Sequence, residues 1–394
     1  MKNICVLTAT RAEYGLLKNV ILKLRREPEF HVNVIATGMH LDRDFGETYR
    51  EIEEDGIQIT ARIPILSKKD GSVGMSETMA EALVRFGLFF AENRQDLLVV
   101  LGDRYETMAV CIAAMNAQIP IAHIHGGEVT EGAIDDAIRH SITKMSFLHF
   151  TSTEVYRRRV IQLGEDPGRV FFVGALGVEN ILSQKLLEKA DLEKAIQFTL
   201  GARYCLVTFH PVTLEKDSAM EQIRELFQAM DEMTEYHYLI TKSNADAGGR
   251  LINECLEEFA SERKERIYLT ESLGMIRYLS AMKYCSMVIG NSSSGILEAP
   301  AMGVPTINIG DRQRGRIQAD SIINCQPDCG SIKEAMRRAE TNEFRETVRK
   351  QILPFGDGDT SGSIVSRIKE CMSGKGEAGI DLKKKFYDVE FTTG

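Results

Sequence analysis

The sequence predicts an α/β protein built of two doubly wound, Rossmann-like domains. Three observations carry that expectation. Short apolar runs alternate with longer amphipathic stretches from end to end, the rhythm of βαβ units. Nearly all the runs are continuous rather than alternating, as in strands buried on both faces of a parallel sheet. The rhythm restarts near residue 204 after a polar helical stretch at 179–200, and 394 residues favour two domains at about 100–200 residues each.

The first series of expected strands is NICVLTA (3–9), VNVIAT (32–37), LLVVLG (97–102), PIAHIH (120–125), LHFTS (148–152) and VFFVG (170–174). Between the first two, Tyr14–Arg26 places Leu16, Leu17, Val20, Ile21 and Leu24 on one helical face. The second series is YCLVTF (204–209), YHYLIT (236–241), RIYLT (266–270), CSMVIG (285–290) and VPTINI (304–309). Its first crossover, Ser218–Thr234, aligns Met220, Ile223, Leu226, Phe227 and Met230 in the same way. The junction is expected near Gly174–Gly177, giving domains 1–176 and 177–362. After LPFGDGDTSG comes one more helix, from about Ser363 to Met372, so 363–394 is expected to return to the first domain. The lysines at 383–385 are expected to form a solvated face.

Composition narrows the function. With 57 acidic and 48 basic side chains the net charge is −9, and a pI near 5.6 argues against a nucleic-acid binder, which shows a basic stripe. The longest apolar run, Met108–Met115, is eight residues, against about 20 for a membrane span. The opening MKNICVLTATR reads as a first strand rather than a secretory leader. Eight scattered cysteines without a CxxC read as reduced thiols in a cytoplasmic protein. No Gly-x-Gly-x-x-Gly follows the first strand, and no P-loop or Gly-x-Ser-x-Gly occurs, so those cofactor and nucleophile motifs are missing.

Polar residues gather where the strands end, which is where open parallel sheets bind ligands. After the first strand, Thr8-Ala9-Thr10-Arg11-Ala12-Glu13-Tyr14 opens a helix; it either aims N–H groups and Arg11 at an anion or caps the helix through Thr10 and Glu13. LLVVLG runs into Asp103-Arg104-Tyr105-Glu106, and PIAHIH delivers His123 and His125 before Gly126-Gly127-Glu128. Residues two apart on a strand point the same way, so both histidines could face a ligand, as acid–base groups or, with Asp103, as metal ligands. Asp135, Arg139 and His140 share the start of the next helix; the plainer alternative is a cap with a surface Asp136–His140 pair of about 0.2–0.5 kcal/mol. The second half places His210, then Ser243, Asn244 and Asp246, after successive strands. GNSSSGILEAP adds Asn291, Ser292, Ser293, Ser294 and Gly295 at a helix start, with Glu298 in the first turn, an arrangement of donors suited to an anion. Arg312, Arg314 and Arg316 follow a further strand in a locally basic loop.

Ten of these stretches occur in order across residues 8–316: TATRAEYGLL, ATGMHL, VLGDRYE, AHIHGGEVTEGAIDDAIRHSITKMS, RVIQLGE, VGALGVENI, TFHPVT, KSNAD, GNSSSGILEAP and INIGDRQRGR. Together they make the chain resemble the hydrolysing UDP-N-acetylglucosamine 2-epimerases of bacterial sialic acid biosynthesis and their UDP-N,N'-diacetylbacillosamine relatives. The resemblance implies a glycosyltransferase-B-like fold with a central cleft, a reaction without metal or cofactor, and a homodimer or homotetramer. It implies elimination of UDP to a glucal, then hydration to N-acetylmannosamine. The expected catalytic residues are Asp103, His125, Glu128, Asp135 and His210, with His125 standing where many family members carry a catalytic Glu. The expected UDP-sugar contacts are Arg11, Ala12, Glu13, Arg104, His123, Arg139, Ser243, Asn244, Asn291, Ser292, Ser293, Gly295, Glu298 and Arg312. A glycosyltransferase, a non-hydrolysing epimerase or a silent nucleotide-sugar sensor would share the same cleft.

Overall fold

The computed structural model describes residues 1–43, 46–69, 71–129, 134–210, 219–242, 249–373, 380 and 382–390. Two compact units result, Met1–Glu179 with Phe355–Gly394, and Asn180–Pro354. The first holds seven strands: β1 (Lys2–Thr8), β2 (Phe30–Thr37), β3 (Ile59–Ile63), β4 (Leu97–Leu101), β5 (Ile121–Ile124), β6 (Leu148–Thr151) and β7 (Val170–Phe172). The second holds β8 (Tyr204–Thr208), β9 (His237–Thr241), β10 (Ile267–Thr270), β11 (Met287–Gly290), β12 (Thr306–Ile309) and β13 (Ile322–Cys325).

Both sheets are parallel, ordered β3-β2-β1-β4-β5-β6-β7 and β10-β9-β8-β11-β12-β13. Each is wound outward in both directions, from β1 and β4 in one and from β8 and β11 in the other, so each has one point where the strand order reverses. Of the central strands, β4, β8 and β11 are buried at every position, which is why they read as continuous apolar runs. Two strands, β3 and β13, escaped the sequence reading. Both are sheet edges, and ITARI alternates half-buried with exposed positions before its last residue; a search for continuous runs passes over such segments.

Helix limits shift for local reasons. The first helix spans Arg11–Leu24 rather than 14–26, because Thr10 and Glu13 form a reciprocal capping box that starts it early. The stretch at 179–200 is not one helix but two, Leu176–Leu182 and Lys189–Ile196. The crossover expected at 218–234 spans Ala219–Glu232. The units divide after Glu179 and again before Phe355, not after 176 and 362. Glu179 explains the first limit: its carboxylate accepts from Ser361 N at 2.6 Å and pairs with Lys23 at 3.2 Å, both in the first unit. The Phe355 carbonyl explains the second, accepting from Ala175 N at 2.7 Å. The last helix, Thr360–Ser373, starts earlier than expected and buries Ile364, Val365 and Ile368 in the core that holds Leu17, Val20 and Leu24. Among the described residues no helix is long and apolar enough to cross a membrane.

The lysine run near the end is not wholly solvated. Lys384 reaches in to donate to the Ser146 carbonyl at 2.6 Å and to meet Glu165 at 2.6 Å. Lys144 and His149 meet the same carboxylate at 2.6 and 3.0 Å. Burial pushes the Glu165 carboxyl up, but the hydrogen bond and charge of His149 and the hydrogen bonds from Lys144 and Lys384 outweigh it and hold it down from 4.5 to about 2. The stability this carboxylate contributes is therefore complete above about pH 4.5 and lost as pH falls toward 2. Glu165→Gln is expected to lower stability at neutral pH by about 1–3 kcal/mol and to flatten the acid limb of the urea midpoint plotted against pH. An acid limb as steep as that of the wild type would contradict this role.

Candidate active site

The point where strand order reverses brings the ends of β1 and β4 side by side in the first unit. At the β1 end, Glu13 does not reach out as expected: its Oε2 accepts the N–H groups of Ala9 and Thr10 at 2.7 and 3.1 Å. Burial pushes this carboxyl up to about 7, with the Ala9 N–H opposing and the Glu106 charge adding. Arg11 and Ala12 are exposed, Arg11 pairing with Glu51 at 3.0 Å. At the β4 end, Asp103 is held by the Arg139 guanidinium. Arg139 is itself buried and also donates to the Glu128 carbonyl at 2.8 Å and to Asp136 at 3.3 Å. It is thus a brace for Asp103 and the loop, rather than the substrate contact expected from sequence. Arg104 leans on Glu106, a carboxylate with no exposure whose second oxygen has no partner.

The two histidines part company. His123 lies inside the sheet with no exposed surface; Nε2 bonds the Gly102 carbonyl at 2.7 Å and Nδ1 meets Thr143 Oγ1 at 3.3 Å. Burial pushes it down to about 3, so it is a structural residue and not a ligand contact. His125 lies past the end of β5, at φ 66°, a left-handed conformation that costs a non-glycine residue about 1–3 kcal/mol and clusters at functional sites. The turn removes the alternation that would have aligned the pair, and with it the geometry that the alternative reading of His123 and His125 as metal ligands requires. The Nε2 of His125 is buried without a hydrogen-bond partner. Nδ1 lies 3.9 Å from Glu128, whose Oε1 accepts from Ser152 Oγ at 2.7 Å. Gly127 makes the turn possible: at φ 81° a Cβ would stand 2.5 Å from the Tyr156 carbonyl oxygen. Asp135 sits exposed in the first turn of Ile134–Met145, and Asp136 meets His140 at 3.6 Å.

In the second unit the reversal brings β8 and β11 together. Gly290 closes the gap, since a Cβ there would lie 1.9 Å from the Thr208 carbonyl oxygen. Asn291 then clamps the His210 backbone from both sides, accepting its N–H at 2.7 Å and donating to its carbonyl at 2.8 Å. Its own carbonyl accepts from Arg312 at 2.9 Å and Gln313 at 2.7 Å. Asn291 therefore positions other groups instead of touching a ligand. Gly295 is likewise structural: its N–H donates to the Ser292 carbonyl at 3.2 Å, and a Cβ would meet Thr306 at 2.8 Å.

Ser292, Ser293 and Ser294 line a cavity of about 390 Å³ together with His210 and Arg312. Ser293 stands at the cap position of Ser294–Ala301 without making a side-chain cap. Glu298 lies beyond the first turn, not in it, and its Oε2 is buried without a partner; burial pushes its carboxyl up. Ser243, Asn244 and Asp246 lie outside the described residues. The cavity adds residues that the sequence reading missed, among them Thr208, Lys242, Glu271 and Tyr278. Lys242 and Glu271 directly follow β9 and β10, so the strand-end rule points to them too. Tyr278, whose hydroxyl lies 2.6 Å from Ser294 Oγ, carries no such signal.

A family model described as UDP-N-acetylglucosamine 2-epimerase matches residues 22–369. Among curated proteins, a GDP/UDP-N,N'-diacetylbacillosamine 2-epimerase (hydrolyzing) of Campylobacter jejuni is 39% identical over 98% of this chain and 99% of its own. The polysialic acid biosynthesis protein P7 of Escherichia coli is 40% identical over 100% and 99%. A UDP-N,N'-diacetylbacillosamine 2-epimerase (hydrolyzing) of Legionella pneumophila is 32% identical over 94% and 96%. Among solved structures, the UDP-GlcNAc 2-epimerase of Neisseria meningitidis bound to UDP-GlcNAc superposes with a TM-score of 0.77 at 18% identity, covering 94% of this chain and 100% of that one. The likeness extends to the glycosyltransferase-B-like architecture of that fold.

Truncating Asn291 removes both hydrogen bonds that its side chain makes to the buried His210 backbone. Asn291→Ala is expected to lower stability by about 2–4 kcal/mol, read from urea midpoints. A loss within the roughly 0.5 kcal/mol typical of surface substitutions would contradict the role given to the clamp.

Proposed function

Because the chain belongs to the UDP-N-acetylglucosamine 2-epimerase family, we propose that it is a cytoplasmic hydrolysing 2-epimerase converting UDP-N-acetylglucosamine and water to N-acetylmannosamine and UDP. A second reading takes UDP-N,N'-diacetylbacillosamine as substrate, and the names of the Campylobacter and Legionella relatives favour it. The reaction asks for three things: a base for the C2 proton, an acid to return one, and donors for the departing diphosphate. In the first step the C2 proton goes to the base, the C1–C2 double bond forms, and the C1–O bond pair leaves with UDP. In the second, water oxygen bonds C1, its proton passes to a base, and C2 is protonated from the opposite face.

The unpartnered, buried Nε2 of His125 is the observation that carries this reading. An imidazole can take or give a proton near neutral pH, and the alternative, Glu128, already has one oxygen engaged by Ser152. The register pairs Leu101 of β4 with Ile124 of β5, so Asp103 and His125 follow neighbouring strand ends. Arg139 fixes Asp103 in orientation, and Asp135 is exposed beyond them as the further carboxylate. The serine-lined cavity with Arg312 supplies hydroxyl and guanidinium donors to the diphosphate. The unpaired Oε2 of Glu298 suits a ribose hydroxyl.

Incubating the protein with UDP-N-acetylglucosamine, with UDP-N,N'-diacetylbacillosamine and with the GDP-linked form of the latter separates the substrates. Release of nucleotide diphosphate and free 2-epimerised sugar without an acceptor is the expected result; turnover only with an acceptor would point to glycosyl transfer. Asp103→Asn is expected to lower kcat by roughly 10²–10⁴-fold while UDP affinity stays within a few-fold. His125→Gln is expected to lower kcat over the same range. Wild-type turnover in either variant would remove that residue from the proton-transfer role.

A further inference from the structure

A second cavity, of about 660 Å³, lies wholly in the second unit and shares no lining residue with the serine-lined one. It opens at the carboxyl ends of β12 and the edge strand β13, the side of a parallel sheet where ligands bind. Its size is that of small-molecule sites, which run about 300–1,000 Å³. Three guanidinium groups border it, from Arg314, Arg316 and Arg338. Arg314 faces Asp311 at 3.7 Å, whereas Arg316 and Arg338 have no carboxylate partner among the described residues. Against the three arginines stand Asp311 and Glu334, so the rim keeps one positive charge in excess.

The other polar groups of the lining are of another kind. Asn308 donates through Nδ2 to Asn324 Oδ1 at 2.7 Å, and Asn324 donates to Gln318 Oε1 at 2.8 Å. This row links three side-chain amides of the lining, with Asn308 itself buried. Amides offer donor and acceptor together and so match hydroxyl groups, while guanidinium groups without a carboxylate partner match phosphate or carboxylate. Arg314 and Arg316 also account for the basic loop after β12 that the nucleotide side leaves unused.

We propose that the chain holds a second small-molecule site here, for a polyhydroxylated anion of sugar size, with Arg316 and Arg338 on its charged end and the Asn308–Asn324–Gln318 row on its hydroxyls. Glucose 6-phosphate and gluconate share the hydroxyl chain and differ in the anionic group. Titrating each calorimetrically into the full chain, with and without saturating UDP, reports the site. Saturable binding of one of them that persists with UDP present and weakens roughly tenfold or more in Arg316→Ala/Arg338→Ala is the expected result. The sugar that binds assigns phosphate or carboxylate. Both arginines are exposed, so the double variant keeps its fold. Absence of binding by both probes, or binding that the double variant leaves intact, overturns the site. The UDP arm rests on the proposed function and the variant comparison does not, so failure of that function leaves the site testable.

Discussion

Parallel strands cannot be joined by tight hairpins, and that constraint decides where this protein can do chemistry. Every strand must be reached by a crossover, so the carboxyl ends of all strands in a sheet lie along one edge. Winding outward from β1 and β4, or from β8 and β11, leaves a gap at one point of that edge. Asp103, Arg104 and the Thr8–Tyr14 turn stand at the first gap; His210, Asn291 and the serine row stand at the second. Gly290 shows how closely the two central strands must approach, since the Thr208 carbonyl occupies the space of its missing side chain.

At both gaps most polar groups hold one another. Arg139 fixes Asp103, Glu13 closes the first helix, Asn291 grips the His210 backbone, and Glu106 supports Arg104. Such bracing holds these side chains within narrow limits before any ligand arrives, the condition for electrostatic stabilisation without reorganisation. Some buried polar atoms are left over. Besides the second oxygen of Glu106, the Nε2 of His125 and the second carboxylate oxygen of Glu298 are buried without partners, and burial without a hydrogen bond is costly.

The alternation of apolar runs and amphipathic helices makes the two-sheet architecture legible in the sequence. Strand ends were equally legible, because Asp103, His125, His210 and Ser292 directly follow apolar runs. The edge strands β3 and β13 were not, since half-exposed strands lack the continuous signal. Side-chain partnerships were also out of reach. Sequence spacing cannot tell that His125 turns to a positive φ, nor that His123 bonds within the sheet. Asn291, Arg139 and Glu13 were recognised as belonging to the site, but as ligand contacts, because a residue that braces and one that binds occupy the same positions in the chain. Glu106, an acid in the first turn of Tyr105–Asn116, reads in sequence as an ordinary favourable partner of the helix dipole, so its full burial under Arg104 was not legible.

The central claim is that proton exchange at C2 accompanies loss of the nucleotide and addition of water. Turnover of the UDP-sugar in deuterium oxide enriched in heavy oxygen, followed by mass spectrometry of the free sugar, tests it directly. The elimination and hydration sequence predicts one deuterium at C2 and solvent oxygen at C1 in the 2-epimerised product. A free sugar that carries solvent oxygen but keeps its original C2 hydrogen would contradict it.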